Sequence, residues 1–249
     1  MFKFNHAGNA VRFSAAILLS SIMFLTGCGS STSSSTSSDT DTSTSTDTGT
    51  DTVTAQENTE ISTDETGHYE VDLGAGNYTA GIDLPSGSYN LSAVSGSGNV
   101  SSSNMYSGGL NEIMGTDTSD GMTVNTFNSL QMDDGVVLSI GSTAVIHLTS
   151  EDAMINNVTG RAADEASAVD LGAGNYTAGI DFPAGTYTIT ATGGSGNVSS
   201  DNMFDGGLNE IMSVDTNDGF SISQFSHASF PDGTVLTISG TSVHMVPES

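Results

Sequence analysis

The feature that most constrains this chain is an internal repeat. Val71-Asp72-Leu73-Gly74-Ala75-Gly76-Asn77-Tyr78-Thr79-Ala80-Gly81-Ile82-Asp83 recurs letter for letter from Val169 to Asp181, 98 residues further on. Gly108-Gly109-Leu110-Asn111-Glu112-Ile113-Met114 returns at the same offset as Gly206 to Met212. Aligned without a gap, 45 of the 78 positions from Val71 to Leu148 match their partners in Val169 to Val246, more than a shared solenoid consensus would require. The period is too long for a minimal solenoid unit, and about 80 residues are enough for a small core. Whatever fold one copy adopts, the chain carries it twice.

Within each copy the strand signals are short and bounded by turn residues. Tyr89, Leu91 and Ala93 alternate with Ser88, Asn90 and Ser92, and Tyr187, Ile189 and Ala191 alternate with Thr186, Thr188 and Thr190, which predicts one buried and one wet face. Leu84-Pro85-Ser86-Gly87 and Phe182-Pro183-Ala184-Gly185 place proline second and glycine fourth, the preference of a type I turn. Asp134-Gly135 and Asp232-Gly233 read as hairpin turns between flanking strands, and Ser95-Gly96-Ser97-Gly98 as a further turn. Helical periodicity is never sustained; Leu110–Met114 and Glu151–Asn157 are its best short stretches. The expectation is an all-β chain: two tandem small antiparallel β-sandwich or jelly-roll-like domains of about seven or eight strands each. They follow a disordered linker rich in Ser, Thr and Asp.

The only cysteine, Cys28, follows a basic start containing Lys3 and Arg12 and an apolar run from Ala15 to Leu25, the layout of a secretory signal. Leu25-Thr26-Gly27-Cys28 resembles the lipobox of bacterial lipoproteins. That resemblance implies diacylglycerol on Cys28, cleavage between Gly27 and Cys28, and residence on the outer face of the cell membrane. Two acyl chains suffice for lasting anchorage where one does not. From Gly29 to about Thr66 almost nothing is apolar, so this stretch is expected to be disordered. The organisation is then signal peptide 1–27, lipidated linker 28–66, first β domain 67–149, inter-domain linker 150–167 and second β domain 168–249. The stretch from Tyr78 through Asn99-Val100 also resembles a small all-β module of exported Gram-positive proteins, which implies location and fold and brings no catalytic residues.

Charge excludes several partners. The chain has 29 acidic and three basic side chains, and Arg161 is the sole cation after the signal. Phosphate backbones and anionic headgroups should repel it, so no nucleic acid is expected and the lipid is the membrane contact. With one cysteine there is no disulfide to staple a loop, and core packing must hold the folded parts.

Candidates for chemistry are few. Asp117-Thr118-Ser119-Asp120-Gly121 and Asp215-Thr216-Asn217-Asp218-Gly219 raise the question of calcium at Asp117, Asp120, Asp215 and Asp218. The acids do not alternate as in an EF-hand loop and no glutamate stands twelfth, so turn chemistry is the first reading and no cofactor is expected. On the ungapped alignment His68, His147, His227 and His244 face other residue types in the opposite copy, which argues against a duplicated histidine site. No Gly-x-Ser-x-Gly elbow with accompanying acid and histidine is present. Asn99, Asn104, Asn111 and Glu112, with Asn197, Asn202, Asn209 and Glu210, form a polar set kept in both copies. They read either as residues that survive from duplication or as a shared binding surface. The functional expectation is a non-enzymatic interaction or spacer module. Its rival is an adhesin binding a cell-envelope carbohydrate or protein through two equivalent sites.

Overall fold

The computed structural model describes residues 65–249. Gly27, Cys28 and the tether up to residue 64 lie outside the described residues, as do the signal and lipidation expectations placed on them. The described chain is all-β, with a single 3-10 turn at Glu165–Ser167.

The first repeat supplies β1 (Thr66–Leu73), β2 (Gly76–Thr79), β3 (Gly87–Ser95), β4 (Ser97–Ser102), β5 (Asn111–Gly115), β6 (Thr126–Met132), β7 (Val137–Ile140) and β8 (Val145–Met154). They form two antiparallel layers, β1-β8-β3-β6 and β2-β7-β4-β5. One core draws on both: Tyr89 and Leu91 from β3 and Leu148 from β8 meet Val100 from β4 and Leu138 and Ile140 from β7. The second repeat supplies β9 (Val169–Leu171), β10 (Gly174–Thr177), β11 (Gly185–Ser200), β12 (Asn209–Ser213), β13 (Gln224–Phe230) and β14 (Val235–Glu248). Its pairing order is the same, β9-β14-β11-β13 and β10-β14-β11-β12, because β11 and β14 run on through both layers. A separate core forms around Tyr187, Ile189, Phe230 and Met245.

Alternation along β3 and β11 is as the sequence predicts: Tyr89, Leu91, Ala93, Tyr187, Ile189 and Ala191 are buried. The turns differ. The chain reverses at Gly81 to Asp83, directly before the expected type I turn, where the Asp83 carboxylate accepts from Thr79 N at 2.7 Å. Pro85 instead offers its carbonyl to the buried Tyr89 hydroxyl at 2.6 Å, and Pro183 does the same for Tyr187. Asp134-Gly135 is a turn, with Val136 N donating to Asp133 O and Gly135 at φ +82°, but not a hairpin. β6 and β7 belong to different layers, so the turn carries the chain across the core. Ser95-Gly96-Ser97-Gly98 is likewise a bend between layers, and in the second repeat β11 passes through it unbroken. Leu110 to Met114, one of the best helical stretches by periodicity, is strand from Asn111 on, since Asn111–Gly115 is β5.

The repeats also depart from an ungapped match. Val100 pairs with Ile140 and Val198 with Ile238, an offset of 98, but Ala93 pairs with Ile146 and Ala191 with Val243, an offset of 97. The second copy lacks one residue between these points. A one-residue slip inside a strand would turn every later side chain to the wrong face, and here register shifts at the bend absorb it. The expectation that no histidine is duplicated is therefore wrong. His147 pairs across the ladder with Asp72 and His244 with Asp170, at Nδ1 to Oδ1 distances of 2.6 and 2.8 Å.

The two repeats fall within one compact unit. A single parallel bridge between Ser226 in β13 and Gly76 in β2 joins the second repeat to one layer of the first.

Candidate functional site

The junction between the repeats gathers the densest set of long-range polar contacts. It begins with backbone: Ser226 N donates to Ala75 O at 3.1 Å. At Gly76 the carbonyl of Ser226 comes so close that a Cβ would stand 2.8 Å from it, so only glycine fits. Asn77, buried at 5% exposure, then links the copies. Its Oδ1 accepts from Ser139 Oγ at 2.8 Å within the first repeat. Its Nδ2 donates to the carbonyls of Gly206 and Gly207 in the second, at 2.8 and 3.1 Å. In the opposite direction Glu210 places both carboxylate oxygens on Ser142 N, at 3.1 and 3.0 Å. Burial pushes the Glu210 carboxyl up from its ordinary value, partly opposed by the Ser142 hydrogen bond.

Beside these contacts lies an ionic cluster. Arg161 holds Asp83 in a two-pronged grip, Nε to Oδ1 at 2.7 Å and Nη2 to Oδ2 at 3.2 Å. The Asp83 side chain is only 4% exposed, so removing that partner would leave a buried carboxylate without its main contact. His227, at φ +58°, lies on the other side. Its Nδ1 is 2.6 Å from Glu248 Oε2 and its Nε2 is 3.9 Å from Asp83 Oδ1. Its ring meets Tyr78 edge to face at 5.3 Å. Thr188 Oγ1 donates to Glu248 Oε1 at 2.6 Å. Burial alone would raise the Glu248 carboxyl, but the His227 and Thr188 hydrogen bonds and the nearby charges of His227 and Arg161 outweigh it and hold it low. Burial pushes the Tyr78 hydroxyl up to about 12. The segment 155–163 is fastened across the same face, with Thr159 N and Gly160 N donating to Gly81 O and Ile82 O.

Two clefts open along this seam, of about 320 and 480 Å3. Arg161 and His227 line the first; Asn99, Asn111, Asn209 and Glu210 line the second; Asn77, Ser101 and Phe204 border both. Phe204 is 94% exposed at their rim. Asparagine side chains, a carboxylate and an exposed aromatic ring offer hydrogen bonds and one stacking face, a set suited to a polar ligand.

The polar residues singled out from the sequence separate into three groups. Asn99 Nδ2 donates to Asn111 Oδ1 at 3.1 Å, and Asn197 to Asn209 at 3.0 Å. Asn104 and Asn202 fasten a loop to β6 and β13 by donating to Gln131 O and Ser229 O, and neither lines a cleft. Glu112 and Asn197 also lie outside the clefts, so the retained set is not assembled into two equal pockets. In the acidic loops Asp117 and Asp215 accept from the amides of Ser119 and Asn217. Asp120 accepts from Met122 N and Thr123 N, and Asp218 from Phe220 N and Ser221 N. Hydrogen bonds from Thr123 and Met122 hold the Asp120 carboxyl below the usual range, and those from Ser221 and Phe220 do the same for Asp218. Among the described residues no group of three or more His, Cys, Asp or Glu side chains is arranged to hold a metal ion.

Sequence reasoning passed over Asn77, Asp83, Arg161, His227 and Glu248. One signal could have found the cluster: a lone arginine in a strongly acidic chain, whose charge would be drawn to a carboxylate. Comparison of the chain with protein-family models, curated proteins and solved structures finds no match.

Proposed function

We propose that this chain is a lipid-anchored protein of the outer face of the cell membrane whose repeats are two β-sandwich domains forming a non-enzymatic interaction or spacer module. The observation that carries the non-enzymatic reading is the junction. Arg161 is engaged by Asp83 and His227 Nδ1 by Glu248, with Asp83 Oδ1 3.9 Å from the other ring nitrogen, so the basic groups of this half-buried site are committed to carboxylates rather than paired with a nucleophile. The same contacts fasten one repeat to the other, as a spacer requires. Attachment through Cys28 supplies the membrane contact that the acidic surface does not. Replacement Cys28→Ala should abolish incorporation of labelled fatty acid and release the chain from the membrane fraction; retained label would refute the anchor.

The 480 Å3 cleft favours a second reading, an adhesin that takes a cell-envelope carbohydrate or a protein loop between the repeats. Here the site is single and composite. Pull-down of cell-wall glycans with the full chain should then be weakened by Asn209→Ala and by Asn111→Ala, and left intact by Asn175→Ala, which lies outside both clefts. No retention of glycan by the parent chain would leave the spacer reading alone.

A further inference from the structure

We infer that a second copy of this chain docks head to tail on the first, repeating between molecules the contact that the two repeats make within one. The inference does not depend on the lipid anchor or on the occupant of the clefts. The internal junction is heterologous: Ala75, Gly76, Asn77 and Ser142 of the first repeat meet Gly206, Gly207, Glu210 and Ser226 of the second. No residue type position is shared by the two sides. Duplication gives each repeat both faces, so one face of each kind is left over.

Those leftover faces keep six of these eight residues, with Asn128 in place of Ser226 and Gly240 in place of Ser142. On the second repeat Ala173, Gly174 and Asn175 repeat Ala75, Gly76 and Asn77, and Gly240, at φ +78°, stands where Ser142 does at φ +57°. On the first repeat Gly108, Gly109 and Glu112 repeat Gly206, Gly207 and Glu210. Exposure marks what is missing. Asn77 is buried and Asn175 exposed; Gly207 is buried while Gly109 is half-buried; Gly206 is half-buried and Gly108 exposed. Both oxygens of the Glu210 carboxylate share the Ser142 N–H, whereas that of Glu112 takes no backbone hydrogen bond among the described residues. A heterologous contact whose two halves both remain open propagates from molecule to molecule.

The contact between chains is weaker than the one within. Ser129 stands where His227 does, and Asp181 has no arginine, so the ionic cluster is not reproduced. Within the chain a short connection supplies an effective concentration of about millimolar, and between chains that concentration must be provided. Net charge of −26 opposes association at low salt, so screening should strengthen it.

The test is photo-crosslinking of the full chain, purified in non-ionic detergent at about 1 mM to match the intramolecular case, with p-benzoylphenylalanine in place of Asn175. Adducts at multiples of the chain mass are expected, more at 0.15 M than at 0.01 M salt, with attachment mapped to the neighbourhood of Gly108 to Glu112 in the second chain. Adding Glu112→Arg to the same chain should lower adduct yield about tenfold or more. Mixing that double variant with a differently tagged Asn175→Arg chain, which keeps Glu112, should restore a one-to-one adduct and nothing larger. Absence of adducts, attachment elsewhere, or a ladder indifferent to Glu112→Arg would overturn the inference.

Discussion

Asn77 and Asn175 sit in thirteen-residue segments that are identical to the letter, yet one is sealed in the junction and the other faces solvent. Glu210 accepts from Ser142 N across the junction whereas the Glu112 carboxylate has no such donor among the described residues, and Asp83 has an arginine where Asp181 has none. Each repeat is thus the other's control: local sequence and strand geometry are shared, and only the neighbour differs. What a residue contributes here is set by whether the other copy covers it.

The sharpest way to break the comparison is Arg161→Ala, which strands the Asp83 carboxylate in a site from which water is nearly excluded. The expected loss is about 3 kcal/mol of unfolding free energy, read by urea denaturation, while Asp181→Ala on the uncovered face should cost about 1 kcal/mol or less. A loss equal in the two variants would mean that the junction ion pair has no special role. Next comes Asn77→Ala, expected to cost about 2 kcal/mol because two carbonyls of the second repeat lose their donor, against less than about 0.5 kcal/mol for Asn175→Ala.

The pH dependence of stability sharpens what the junction does to Glu210. Burial raises the Glu210 carboxyl above its unfolded value of 4.5. The protonated form is therefore favoured in the folded state, and its stabilisation is complete below 4.5 and lost as pH rises through the raised value. Glu210→Gln should flatten that part of the stability profile. His244 tests the duplicated ladder pair in the same way. Hydrogen bonds to Asp170 and Glu165 raise its pKa above 6.5, so its stabilisation is full below 6.5 and disappears as pH rises through the raised value. Titration by NMR should show His244 returning toward 6.5 in Asp170→Asn.

The smallest expected effects lie in the acidic loops, where the hydrogen bonds are local and alike in both copies. Asp120→Ala and Asp218→Ala each remove an exposed carboxylate that accepts two backbone amides, and should lower the thermal midpoint slightly and by similar amounts. Millimolar calcium should leave that midpoint unmoved because these oxygens already serve the loop. A clear rise would instead identify a calcium site.

Which parts of this fold were legible follows from the range of the forces involved. The buried faces of β3 and β11 could be read because alternation is a property of one strand facing one core. Asp134-Gly135 could be read as a turn but not as a crossing between layers, since the residues that form a turn do not specify which strand the chain pairs with afterwards. The proline signal misled because Pro85 fits a type I turn equally well as a rigid platform whose carbonyl receives Tyr89. Asn99, Asn111, Asn209 and Glu210 were legible as a retained polar set. Their meeting along one cleft was not, because residues about 100 positions apart share no local pattern.

The sequence by itself determined that the chain is β-structured, that the pattern occurs twice, and that Tyr89, Leu91, Tyr187 and Ile189 point inward, because these follow from short-range periodicity and repetition. Only the tertiary structure decided that a missing residue is absorbed at a bend so that His147 and His244 are equivalent. It alone decided that Arg161 closes on Asp83, and which of two identical asparagines is buried. Those outcomes depend on pairing and desolvation between distant segments, where the free energy of a side chain is set by what lands against it.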